Sequence, residues 1–107
     1  MKLFDGGKAP NPRRVRVFLA EKGVEVPLVP VDMGAMGHRA PEVADRNPLR
    51  RLPVLELDDG AVITETVAIC RYFEETNPEP PLFGTGALGR ARVEEWQRRM
   101  ELNLMMP

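Results

Sequence analysis

Eleven prolines stand among 107 residues, and they limit how far any element can run, because each removes a backbone donor and fixes φ near −65°. Pro10 and Pro12 interrupt the chain before a helical pattern, Pro27 and Pro30 break a β-branched stretch, and Pro78, Pro80 and Pro81 close the part that follows. Short strands and helices in alternation are what such punctuation permits. A chain of this size holds one ordinary domain and has no room for a second large core. With 43% hydrophobic residues, it can bury that one core.

Met1 to Asp5 reads as a strand closed by Gly6-Gly7. Asn11-Pro12 then opens a helix, with Asn11 able to cap free N–H groups and proline losing no needed donor at the first helical position. Val15, Phe18 and Leu19 fall on one face and Gly23 is the stop. Val24 to Val31 reads as an edge strand, where the missing N–H groups of Pro27 and Pro30 are tolerated. A short irregular helix is expected around Pro41 to Asp45. Pro53 to Leu57 and Ala61 to Ile63 flank Asp58-Asp59-Gly60, which predicts an antiparallel hairpin. From Thr64 a helix carries Val67, Ile69, Cys70, Tyr72 and Phe73 and ends before Asn77-Pro78. The order over residues 1–77 is β-α-β-α-β-β-α. Residues 78–86 form a stiff linker, and residues 87–107 form one more helix. Val93, Trp96, Met100 and Leu104 lie along one stripe of that helix, for which the sequence supplies no partner.

Charge and composition exclude several functions. Lys plus Arg number 15 against 16 Asp plus Glu, without a block of five like charges, so neither nucleic acid nor an anionic membrane is an expected partner. The single cysteine, Cys70, removes any disulfide scaffold or cysteine-rich zinc site. His38 is the only histidine, and no nucleophile-and-base pair or metal-ligand spacing is visible, which disfavours a hydrolase or a metalloenzyme. Gly6-Gly7 lacks the glycine spacing of a nucleotide-binding loop. No apolar run approaches the roughly 20 residues of a bilayer span, and no stretch of signal-peptide length opens the chain. A soluble, cytoplasmic protein is the expectation.

Three stretches in order carry a family resemblance. They are Ala9-Pro10-Asn11-Pro12-Arg13-Arg14-Val15 through Gly23, Asn47-Pro48 through Leu52-Pro53-Val54-Leu55, and Thr64-Glu65-Thr66 through Ala68-Ile69. The sequence resembles the cytosolic glutathione S-transferases over residues 1–83, and its end resembles the first helix of their all-helical second domain. The resemblance implies a thioredoxin-like α/β fold that binds glutathione as co-substrate, without a metal. The chemistry implied is attack of the glutathione thiolate on an electrophile, or reduction of a peroxide or disulfide. A free thiol titrates near pH 8.5 in typical cases, so the protein must lower that value, and a helix N-terminus favours the anion.

The same resemblance implies the site residues. Ala9 stands where many members carry a hydroxyl or thiol donor, so Asn11 becomes the best remaining side-chain donor to the sulfur; a plain helix cap is the competing role. Leu52-Pro53 matches the family's cis-proline turn, where the Leu52 backbone pairs with the cysteinyl part of glutathione as an added strand. Glu65 and Thr66 match the turn that holds the γ-glutamyl end, although both residues also suit an ordinary helix start. Arg50 and Arg51 are candidates for the glycine carboxylate of glutathione, as is His38; solvated surface positions are the alternative for all three.

Since family members build the electrophile pocket from the second domain, the chain reads as a piece of a longer, homodimeric transferase. Loss of the hydroxyl at Ala9 also suits a non-catalytic glutathione-binding or protein-interaction module. A thioredoxin or glutaredoxin proper is disfavoured, because no cysteine lies near Pro10 to Pro12.

Overall fold

A computed structural model describes residues 1–7, 9–31, 43, 45–48 and 51–105. Strand β1 (Lys2–Asp5) leads to helix α1 (Pro10–Lys22) and strand β2 (Leu28–Pro30). Strands β3 (Val54–Glu56) and β4 (Val62–Thr64) precede helix α2 (Thr66–Thr76), and helix α3 (Gly86–Met100) runs into a π-helical turn, Glu101–Met105. The sheet order is β2-β1-β3-β4. β1 is parallel to β2 and antiparallel to β3, and β3 pairs antiparallel with β4. The expected β-α-β and β-β-α halves are both present. The helix expected over Pro41 to Asp45 lies largely outside the described residues. Within it, Val43 is helical and buried, and its carbonyl accepts the N–H groups of Arg46 and Asn47.

Because side chains alternate along a strand, the register Leu3↔Leu55 and Phe4↔Val54 loads both faces of the sheet. Leu3 and Leu55 pack with Val15 and Leu19 of α1 and with Ile69, Cys70 and Phe73 of α2. Phe4 and Val54 pack with Val43 and Leu52 on the opposite face.

Several expected boundaries move, and three of the shifts have a clear local reason. β2 is Leu28–Pro30 rather than Val24 to Val31. Gly23, at φ 69°, ends α1, the Val24 N–H returns to the Leu19 carbonyl at 3.0 Å, and Val24 and Val26 turn into the core instead of pairing. α1 starts at Pro10 with Ala9 as its extended N-cap, so Asn11 lies inside the first turn and does not cap the helix. α2 starts at Thr66 rather than Thr64, because Thr64 still pairs with Val54 and Glu65, at φ 75°, makes the turn.

The proline-rich segment expected as a linker is docked against the domain. Lys22 donates to the Pro80 carbonyl at 2.6 Å. Glu74 accepts the N–H groups of Leu82 and Phe83 at 3.2 and 3.4 Å, and the Phe83 ring meets Phe18 edge-on at 5.7 Å. α3 then reaches back through ion pairs Arg71–Glu94, 3.6 Å, and Arg14–Glu101, 3.7 Å. Its apolar stripe is open: Trp96 is 53% exposed and Leu104 70%. Among the described residues no helix is long and apolar enough to cross a membrane.

Candidate functional site

The start of α1, the Leu52-Pro53 turn, the start of α2 and one face of α3 enclose a cleft of about 430 Å³. Asn11, Arg51, Leu52, Pro53, Glu65 and Thr66, all singled out from the sequence, line it. Ala9 is half-buried beside it as the N-cap of α1 but is not part of the lining. Arg50 and His38 lie outside the described residues.

Prolines thin out the donors at the start of α1. An α-helix begins with orphan N–H groups, but Pro10 and Pro12 have none, the Ala9 N–H bonds the Gly6 carbonyl at 3.3 Å, and the Arg13 N–H bonds the Ala9 carbonyl at 3.2 Å. The Asn11 N–H is the one main-chain donor of this turn without an acceptor among the described residues. The Asn11 side chain is exposed, and its Oδ1 accepts Arg14 Nη1 at 3.0 Å. A guanidinium only donates, so the amide oxygen is the atom turned to Arg14 and the NH2 group is the atom left for another acceptor.

The Leu52-Pro53 peptide is cis. Leu52 buries its side chain beside Phe4 and Val54, and its backbone N–H and carbonyl are without partners among the described residues. Asn47, 3% exposed, donates from Nδ2 to the Arg51 carbonyl at 3.0 Å and braces the turn. In the sequence Asn47-Pro48 stands out only as part of a motif; in the structure Asn47 is a buried side chain that braces the Leu52-Pro53 turn.

α2 opens differently from α1. The Ile69 N–H bonds the Glu65 carbonyl at 3.0 Å, which leaves the N–H groups of Thr66, Val67 and Ala68 without acceptors among the described residues. No acidic side chain occupies this first turn, so the positive end of the helix is open to an anion. Glu65 is the sole non-glycine residue with positive φ among the described residues, a conformation that stores about 1–3 kcal/mol of strain and persists where the surroundings impose it.

Sequence reasoning missed the fourth wall. Glu94, Gln97 and Arg98 of α3, together with Glu101, close the cleft. Cys70 takes no part: burial pushes its thiol up to about 11, with the Arg14 charge pulling weakly the other way. Among the described residues no three His, Cys, Asp or Glu side chains are placed to hold a metal ion. A larger groove of about 850 Å³ runs along residues 23–28 beside α1 and contains none of the candidate site residues.

The family description "Glutathione S-transferase, N-terminal domain" matches residues 9–76, more than half of the chain. The chain belongs to the glutathione S-transferase family. Glutathione S-transferase 2 of Saccharomyces cerevisiae is 36% identical over 100% of this chain and 47% of its own length. A maleylacetoacetate isomerase of Pseudomonas aeruginosa is 37% identical over 86% of this chain and 44% of its own. The crystal structure of a glutathione S-transferase domain-containing protein from Marinobacter aquaeolei superposes with a TM-score of 0.92 at 41% identity, covering 98% of this chain and 52% of that one. The thioredoxin-like fold of this chain is thereby established, and the chain spans about half the length of these relatives.

Proposed function

We propose that this glutathione S-transferase chain binds glutathione in the cleft between α1, α2 and α3 and activates its thiol. One observation carries the proposal: an unpaired Leu52 backbone, an open helix start at Glu65-Thr66 and the Asn11 amide line a single cleft. Thr66, Val67 and Ala68 offer N–H donors to the γ-glutamyl carboxylate, and Glu65 offers the countercharge to its ammonium. The Leu52 backbone accepts and donates to the cysteinyl part as a neighbouring strand does. Asn11 donates from Nδ2, and through its one free N–H, to the sulfur, lowering the thiol's pKa without a titrating side chain. Arg51 faces the glycine carboxylate. These residues fit a tripeptide with two carboxylates and an ammonium.

The second substrate is an electrophile, a disulfide or a peroxide, and the whole protein works as a cytoplasmic homodimer. Isomerisation is the second reading, favoured by the 37% identity to a maleylacetoacetate isomerase. Calorimetry with glutathione, followed by titration of the bound thiol through its thiolate absorbance, tests the proposal. Saturable binding with a thiol pKa below that of free glutathione supports the enzyme. Binding with an unshifted thiol makes the chain a glutathione-binding module instead, and no binding refutes the site.

A further inference from the structure

Among the described residues, Arg14 is the one cationic side chain of the cleft that touches the proposed sulfur donor. Its Nη1 lies 3.0 Å from Asn11 Oδ1 and 3.7 Å from Glu101 Oε2, so a single guanidinium links the first turn of α1 to the turn that follows α3. The side chains of Arg14 and Glu101 are only 27% and 23% exposed. The sequence separation of three places Asn11 and Arg14 on one helix face, and the partnership with Glu101 exists only through the tertiary fold.

We infer that Arg14 is a positioning residue: it holds the Asn11 amide with Oδ1 turned away from the ligand and Nδ2 presented to the glutathione sulfur, and Glu101 holds Arg14. An exposed asparagine amide can otherwise rotate by half a turn and present its oxygen, an acceptor that repels a thiolate. Because a guanidinium has no acceptor atom, Arg14 can hold only the productive orientation. The arrangement would also make thiol activation depend on the docking of α3, since Glu101 belongs to the segment after it. The inference rests on the proposed role of Asn11, and the experiment separates the two.

Asn11→Ala, Arg14→Ala, the double variant and Arg14→Lys are compared by titrating the thiol of bound glutathione, with affinity for glutathione measured alongside. Arg14→Ala is expected to raise the bound thiol's pKa toward its free value and to lower the rate with a small alkylating probe by up to about a hundredfold, the scale for a misplaced group near the reacting atoms. In the double variant, Arg14→Ala is expected to add nothing to Asn11→Ala, because a residue acting through another has no effect once that other is gone. Arg14→Lys, with a single donor nitrogen and no fork, is expected to restore part of the shift. Equal and additive shifts would overturn the inference and make Arg14 an independent electrostatic contributor, leaving Asn11 as the donor. A normal pKa shift in Asn11→Ala would remove the role of Asn11 itself. A loss of glutathione affinity in Arg14→Ala that persists in the double variant would make Arg14 a direct ligand, and would likewise overturn positioning.

Discussion

Lys22 and Glu74 form an ion pair, Nζ to Oε1 2.7 Å, with the lysine side chain fully buried at the seam between α1, α2 and the proline-rich segment. The pair is satisfied on both sides: Lys22 also donates to the Pro80 carbonyl, and Glu74 accepts two backbone N–H groups from the segment leading to α3. Buried charges survive only with partners of this kind. The clamp fixes where α3 begins, and α3 supplies one wall of the cleft.

Removing one partner is therefore expected to cost more than the pair contributes. Lys22→Met should destabilise the chain by about 3 kcal/mol, the lower end for an uncompensated buried charge. Urea unfolding checks it, and an unchanged midpoint would show that Glu74 finds other solvation.

The clamp also sets a pH dependence. Burial pushes the Glu74 carboxyl up, but the hydrogen bonds from Lys22, Leu82 and Phe83 and the Lys22 charge outweigh it, so the folded pKa lies below the ordinary 4.5. A depressed carboxylate contributes stability that is present above the unfolded value and lost as pH falls through the folded one. The stability difference between the parent chain and Glu74→Gln should accordingly shrink on acidification below about pH 4.5. Thermal melts across that range decide it; a constant difference would exclude the charged pair as its source.

Asn11→Ala should reduce turnover by roughly one to two orders of magnitude, at or below the loss of an oxyanion-type donor. Ala9→Ser should leave activity unchanged or raise it, because the N-cap has no side-chain hydrogen bond to lose. Unchanged turnover in folded Asn11→Ala refutes the assignment.

At Glu65, stability and binding should part company. Glu65→Gly removes a side chain from a φ of 75° and should stabilise the fold by about 1 kcal/mol, while glutathione affinity falls. Thr66→Ala should weaken binding by up to about 2 kcal/mol, the scale of a hydrogen bond to a charged group. Calorimetry and melting curves on the same samples provide the comparison.

Cys70 should resist thiol reagents at neutral pH in the folded chain, because its thiol is pushed up to about 11 and the thiolate is the reactive form. Labelling should track unfolding by denaturant. Rapid labelling of the native chain would show that the helix packing around Cys70 opens.

The order of elements was legible in the sequence because its signals are local. Gly23, the Asp58-Asp59-Gly60 turn, the strand closed by Gly6-Gly7, and the spacing of Ile69, Cys70 and Phe73 each act within a few residues, and each appears in the structure where those signals put it. Pro53 needed the family resemblance, since a cis bond leaves no mark in composition. Only the tertiary structure decided that Asn11 does not cap α1. With Ala9 as the N-cap, the amide is released from capping and engages Arg14. The links Lys22–Glu74 and Arg14–Glu101 join residues far apart in sequence. No periodicity records such pairs, because the energy that forms them comes from burial and charge brought together after the helices have packed.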